Sequence, residues 1–476
     1  MKRRKLRVGY APTRRVTFSK EEAGRYRNLI LKAIRKFDIE VVDINWLNDE
    51  GLLFDINQVN DVFKKFRHEF VDAVFTPHCN FGSEDAVAKL GKMLGVPLLL
   101  WGPRDDAPGS EGLRLRDTQC GLFATSKVLR RMNVPFSYIV NCRLDEPVFE
   151  RGFRTFIAAA SAANVFRSMR IGQVAPRPGA FWTMMYNEGE LLERFGIEVV
   201  PLTLSEITAR TQQIIKDKRK RVVAEVKAIK AAVDTTDCSE EALQNMVGLK
   251  AALKEWADER GLNAVALQCW NAMQQALGIV PCFINGLLTA EGLPVTCETD
   301  VHGAVTALML QAAGGRDRSV FFSDLTIRHP ENDNAELLWH CGNFPLALKD
   351  KKSPTLACSG HYIMEGNFPG CGEFRLQEGP ITLARFDGDH GEYSLLMGEA
   401  KTVAGPLSRG TYVWVEVGDW PLWEERIIRG PYVHHVAGIY GNCAAALYEA
   451  CRYVPGLKPD PVEPSGEEIA RWLRGA

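Results

Sequence analysis

Two carboxylates and a late pair of histidines are the residues of this chain best suited to chemistry. Glu298 closes the run LPVTCE, Asp324 follows the run SVFFSD, and His434 and His435 stand side by side in GPYVHHVAG. Seven of the nine histidines lie after residue 300, so the imidazoles gather in the half of the chain that carries both acids. Two carboxylates held close together repel unless they share a proton or a cation. Imidazole and carboxylate together suit a divalent transition ion, which favours the cation. Each residue also has a plainer reading. Glu298 suits the first turn of a helix, where acids complement the dipole. Asp324 suits a turn or a cap, and the two histidines suit an exposed strand edge.

The surrounding pattern is expected to position the acids. Residues 294–298 read as a short buried strand, and 301–313 has helical spacing with Thr299 or Asp300 as N-cap. Gly314-Gly315 ends that helix, and 319–322 starts a second strand that delivers Asp324. Strand, helix and strand in this order predict a βαβ unit with parallel strands and a right-handed crossover. Glu298 and Asp324 are then expected side by side at the carboxyl edge of one sheet, about 4.8 Å apart by strand spacing. In an extended segment around 434–435, successive side chains point to opposite faces, so one of the two histidines is expected to face away from the acids.

At 476 residues the chain is too long for one core. An apolar content of 46%, a charged content of 25% and a formal net charge of -1 describe a globular protein with no bias toward nucleic acid or anionic membrane. The opening MKRRKLRVGYAP has no apolar h-region, no run reaches transmembrane length, and the 12 cysteines contain no CxxC pair; a cytoplasmic location with reduced thiols is expected. Strands are expected at 6–10, 39–44, 72–77, 96–101 and 136–140, with helices starting at Lys20, Asn57, Ser83 and Gln119. The loop HCNFGSEDA after the third strand is a candidate binding loop through Asn80. A helix at 156–169 leads into strands at 170–176 and within FGIEVVPLTL, a long helix at 205–232, another at 239–262, and the strand NAVALQCW ending in Trp270. The basic run KDKRKR lacks interleaved aromatics and reads as a solvated helix face. After Pro345, helical periodicity gives way to short strands broken by Gly, Pro and Asp, and two helices close the chain (442–453 and 465–474). The fold class expected is α/β: two doubly wound domains at 1–168 and 169–345, then a C-terminal antiparallel barrel or sandwich at 346–476.

CETDVHGA, the later SDL, WHCGNFP and the late HHVAG together resemble the L-fucose isomerase and L-arabinose isomerase superfamily, as do RIGQVAPRPGAFW and FGIEVVPLTL. The resemblance spans most of the chain. It implies three domains, two α/β and a C-terminal antiparallel β-barrel, with a manganese-type divalent ion, aldose–ketose isomerisation, and a homo-oligomer (trimer or hexamer). Carried over, Glu298 and Asp324 match the ligand and acid–base carboxylates, and His435 matches the late histidine ligand. His340 sits where the arabinose branch has a further histidine ligand, although that branch has glutamate at the position of Asp324. The chain is also shorter than typical fucose isomerases, so the expected sugar is fucose-like or arabinose-like without a choice between them.

The chemistry suits these residue types. Moving a carbonyl between C1 and C2 needs a carbon-bound proton removed and returned, which a cation-supported carboxylate pair achieves through a cis-enediol. Trp270, Asn80 and Asn343 are candidates for holding the sugar. A dehydrogenase reading fails because no GxGxxG follows the first strand, and no Walker A sequence is present. A metal-dependent aldolase or epimerase would need similar ligands, and a non-catalytic sugar-binding protein would share the two α/β lobes.

Overall fold

Parallel strands alternating with amphipathic helices shape the first part of the chain. In this computed structural model, which describes residues 4–315, 318–353, 356–363 and 365–475, the strands are β1 (Leu6–Tyr10), β2 (Ile39–Asp43), β3 (Ala73–Pro77), β4 (Leu98–Trp101) and β5 (Ser137–Tyr138). They form one sheet in the order β2-β1-β3-β4-β5, parallel throughout. Helix Lys20–Ile34 begins where the Ser19 side chain accepts from the Glu22 amide at 3.2 Å and buries Ala23, Ile30, Leu31 and Ile34. Residues 4–164 make one unit of dense internal contact, joined by 448–455 and 466–475. Within it, the Tyr453 hydroxyl lies 3.0 Å from the Leu98 carbonyl and 2.7 Å from Ser137 Oγ. The expected C-terminal limit of 346–476 therefore differs from the observed packing, in which buried Tyr453 fills a place beside β4 and β5.

The second unit, 165–447 with 456–465, holds two further sheets. Strands β6 (Arg170–Val174), β7 (Glu198–Leu202), β8 (Ala264–Leu267) and β9 (Val295–Thr296) are parallel in the order β7-β6-β8-β9. The expected long helix is two helices, Leu204–Asp217 and Arg219–Ala232, meeting at Lys218 with φ -112° and ψ 31°. That break lets Ile207, Ile214, Val222, Val226 and Ile229 all join one apolar cluster with helix Glu240–Arg260. The KDKRKR side chains around the break are exposed. Helices Ala272–Leu277 and Cys282–Ala290 have no counterpart in the sequence reading, because short apolar stretches carry too few turns to show a period.

The remaining strands are β10 (Val320–Arg328), β11 (Ala335–His340), β12 (Ala357–Gly360), β13 (Pro369–Arg375), β14 (Pro380–Asp389), β15 (Glu392–Val403), β16 (Thr411–Glu416), β17 (His435–Tyr440) and β18 (Leu457–Pro461). Among the described residues, β16-β11-β10-β17-β14-β15 pair antiparallel in sequence, and β15 returns to β16, closing a barrel. Strands β12, β13 and β18 extend its rim. Phe321, Ile381, Leu383, Leu396, Val413, Val415 and Val436 belong to its apolar cluster. Gly438 of β17 is needed there: a Cβ at this position would stand 2.2 Å from the Phe321 ring. The architecture is thus two parallel α/β regions followed by an antiparallel barrel.

The barrel corrects one expectation. β9 and β10 are not partners in a βαβ unit. β9 stays with β8, whereas β10 forms an antiparallel hairpin with β11 and pairs with β17 on its other side. A strand that turns straight back on itself satisfies its backbone locally, so the boundary expected at 345 cuts through the barrel's strand sequence. Helix Val301–Ala313 connects the two sheets and packs on β8, β14 and β17. Among the described residues no helix is long and apolar enough to cross a membrane.

Candidate functional site

Glu298 reaches the site from a turn held in an unusual backbone conformation. After β9, Glu298 and Thr299 both have positive φ, 57° and 59°. A left-handed non-glycine residue costs on the order of 1–3 kcal/mol, so two in succession must be held by their surroundings. Thr299 N donates to the Leu267 carbonyl at 3.2 Å, Thr296 Oγ1 to the Asp300 carbonyl at 2.8 Å, and Asp300 N to the Cys297 carbonyl at 3.1 Å. Asp324 and His435 come from the barrel wall, where they stand directly opposite each other on β10 and β17. Opposed residues of an antiparallel pair share a face, which brings these two side chains together.

The side chains converge on His435. Its Nε2 lies 3.2 Å from Glu298 Oε2 and 3.3 Å from Asp324 Oδ1, and its Nδ1 lies 2.9 Å from Asp300 Oδ2. The ring is 1% exposed and packs edge-on against Phe322. Glu298 Oε1 accepts from the Trp270 indole at 3.3 Å, while Phe181 meets Trp270 edge-to-face. Burial would push the His435 imidazolium down, but the hydrogen bond to Asp300 and the carboxylates of Glu298 and Asp324 outweigh it and raise it to about 10. Burial raises Asp324 to about 6 against the opposing pull of His340 and His435.

Glu298 Oε2, Asp324 Oδ1 and His340 Nε2 are buried without a hydrogen-bond partner. A buried polar atom left unpaired costs about 1–3 kcal/mol. The two unpaired carboxylate oxygens, both within 3.3 Å of His435 Nε2, form with that imidazole a donor set that a divalent cation would satisfy, so the residues present fit a metal ion. Among the described residues, the ligand atoms of Asp324, His434 and His435 all lie within 4.8 Å of one another. This overturns the expectation that His434 faces away. β17 begins only at His435 and His434 lies in a bend, so strand alternation does not reach it. Burial, with the neighbouring His435 charge, pushes the His434 imidazolium down to about 4, leaving a neutral ring.

The other expected residues lie as follows. His340 Nε2 is 4.0 Å from Glu298 Oε2, and its Nδ1 accepts from the Cys341 amide at 2.8 Å. With Nδ1 accepting, the hydrogen of a neutral His340 ring sits on Nε2. Asn343 is 3% exposed and lies behind the Glu298 turn, its Nδ2 3.6 Å from Cys297 Sγ and its Oδ1 unpaired. Asn80 belongs to the N-terminal unit and is wholly buried. Its Oδ1 accepts from the Arg15 amide at 2.8 Å, and its Nδ2 donates to the Arg15 and Ser19 carbonyls at 3.2 and 3.3 Å. That carboxamide clasps two loops and has little left to offer a ligand. Sequence reasoning missed Arg385 and Asp387, although an Arg-x-Asp pair inside the apolar strand PITLARFDGD was a visible signal. It took Asp300 only as a cap.

Comparison with known proteins bears on this geometry. Residues 9–167 match the family described as fucose/sulfoquinovose isomerase, N-terminal domain, a segment that does not include the site. Sulfoquinovose isomerase of Priestia megaterium is 24% identical over 450 residues, covering 94% of this chain and 97% of that one. These matches support membership of the fucose/arabinose isomerase-like superfamily, as a divergent member. The superfamily's sulfoquinovose isomerase of Alkalicoccus urumqiensis is 27% identical over 350 residues, 73% of this chain and 76% of that one. A solved periplasmic solute-binding protein from Actinobacillus succinogenes, with bound D-allose, aligns at a TM-score of 0.16 and 13% identity over 57% of this chain and 80% of that one, which carries no argument.

Proposed function

We propose that the chain is a divalent-metal-dependent aldose–ketose isomerase that acts on a free sugar through a cis-enediol. The observation that carries this reading is the convergence of unpaired Glu298 and Asp324 oxygens on one buried imidazole nitrogen. Asp324, His434 and His435 would hold the ion, with Glu298 beside them. The mixed nitrogen and oxygen donors favour manganese over magnesium. Once bound, such an ion supplies charge stabilisation for the oxygens of the developing enediolate. Every other task falls to the chain. Glu298 and Asp324 reach the reacting carbons from two sides and move a proton between C1 and C2. The Trp270 N–H fixes Glu298 Oε1 and leaves Oε2 turned toward the substrate. The phase of the Trp270 and Phe181 rings offers an apolar wall for the sugar. His340, with hydrogen on Nε2, faces Glu298 Oε2 at 4.0 Å and does not act as a ligand.

Fucose-like and arabinose-like aldoses are the candidate substrates, and sulfoquinovose, named in the matched relatives, is a further one. A cytoplasmic, reducing setting is supported by twelve cysteines that form no disulfide, and a trimer or hexamer completes the proposal. The test is turnover of these aldoses with manganese in D₂O, read by mass spectrometry and NMR. Solvent deuterium is expected at C1 of the ketose or C2 of the aldose. Full retention of the original hydrogen, with shielded transfer excluded by long incubation, would point to a hydride shift, and activity in metal-free protein would remove the metal from the mechanism.

A further inference from the structure

Behind His435 lies a closed brace of charged side chains. Asp300 caps helix Val301–Ala313, its Oδ1 accepting from the Gly303 amide at 2.8 Å. Arg385 of β14 forks onto the same carboxylate, with Nη2 3.2 Å from Oδ1 and Nη1 on Oδ2. The guanidinium is gripped from its other edge by Asp387, 2.8 Å from Nε and 2.7 Å from Nη2. Asp387 Oδ1 in turn meets His302 Nδ1 at 2.8 Å, and His302 returns to the helix two residues after Asp300. Exposure is 2% for Asp300, 3% for His302, 1% for Arg385, 8% for Asp387 and 1% for His435. Burying so many charges is costly unless their geometry is fully satisfied.

We propose that Asp300, braced by Arg385, is the positioning residue that sets the tautomer and direction of the His435 ring. The inference rests on the metal-site reading above. A histidine can offer a lone pair on Nε2 only if its hydrogen sits on Nδ1. Asp300 Oδ2, 2.9 Å from Nδ1, can only accept, so it selects that form. Every partner around Asp300 is a donor: the Gly303 amide, two guanidinium nitrogens and the imidazole.

Asp300→Asn separates this role from simple support. Asparagine caps a helix about as well as aspartate. To keep accepting from Gly303, however, the amide must turn its NH₂ toward His435 and Arg385. His435 would then have to accept on Nδ1 and carry its hydrogen on Nε2, the tautomer that cannot bind an ion; a triad Asp→Asn change elsewhere acts in this way.

The test is calorimetric titration of chelator-stripped protein with manganese chloride alone. Asp300→Asn is expected to weaken binding by roughly 10–100-fold, the usual cost of removing an outer partner of a ligating histidine. In a His435→Gln background the same change should cost almost nothing. Histidine-labelled ¹⁵N NMR of the zinc-loaded protein should show the Nδ1–H form for His435 in the wild type and its loss in Asp300→Asn. Wild-type affinity in Asp300→Asn, an undiminished effect in the His435→Gln background, or an unchanged tautomer would overturn the proposal. Should circular dichroism show Asp300→Asn unfolded, Asp387→Asn takes its place, leaving the cap and Asp300 intact. It is expected to weaken manganese binding less, with the same cancellation, and unchanged affinity would overturn the inference. Failure of the wild type to bind manganese would instead defeat the metal-site reading itself.

Discussion

Acidification is expected to destabilise the N-terminal unit through one residue, His78. Its ring is wholly buried beyond β3, with Nε2 3.3 Å from Thr125 Oγ1 and Nδ1 unpaired. A Cβ at Gly82 would stand 2.4 Å from Nδ1, and one at Gly121 3.1 Å away, so the ring is crowded on that side. Burial lowers its imidazolium from 6.5 to about 4, against an opposing pull from the Phe81 backbone and with Arg15 adding to the effect. The folded state therefore binds fewer protons than the unfolded chain between these values. Stability from the neutral ring is fully present above pH 6.5 and is lost as pH falls toward 4. Linkage puts the loss at about 2 kcal/mol at pH 5, and about 3 kcal/mol once pH is below 4. The assay is hydrogen exchange by mass spectrometry on peptides from β3 and β4, corrected for the intrinsic pH dependence and compared with His78→Gln. The difference between the two proteins should shift by about 2 kcal/mol from pH 7.5 to 5. A difference that stays constant over that range would refute the reasoning.

Three further outcomes are expected. Asp324→Asn should abolish manganese retention and His434→Ala should weaken it, measured by elemental analysis after gel filtration; full retention in His434→Ala would return that residue to the role of bystander. Manganese binding to metal-free protein should release about one proton per site near pH 8, because a ligating imidazole must be unprotonated, so affinity should rise with pH; calorimetry in buffers of different ionisation enthalpy checks it. Gly438→Ala should destabilise the barrel by about 1–3 kcal/mol through overpacking against Phe321, and a thermal midpoint equal to the wild type would show that the ring yields freely.

Much of this protein was legible in its residues. The five strands of the first sheet and the cap at Asp300 follow from period, composition and capping chemistry, all of which act over a few neighbouring residues. The importance of Glu298, Asp324 and the late histidines could be argued from residue type, since paired acids near imidazoles invite a cation. Asp300 was legible as a cap but not as a partner of His435, because the two lie far apart in the chain and meet only through the barrel.

Local chemistry thus decided which segments became strands and which side chains carried function. Tertiary structure decided their partners. β10 looks the same in sequence whether it extends a parallel sheet or closes a barrel; the antiparallel return of β11 and the register with β17 put Asp324 opposite His435 and not beside Glu298 on one sheet edge. The bend before β17 brought His434 to the site against strand alternation. Arg385 became part of the brace only when β14 packed on helix Val301–Ala313. Pairing and packing are long-range choices, made by the burial and hydrogen-bond satisfaction of the whole fold, and no window of neighbouring residues contains them.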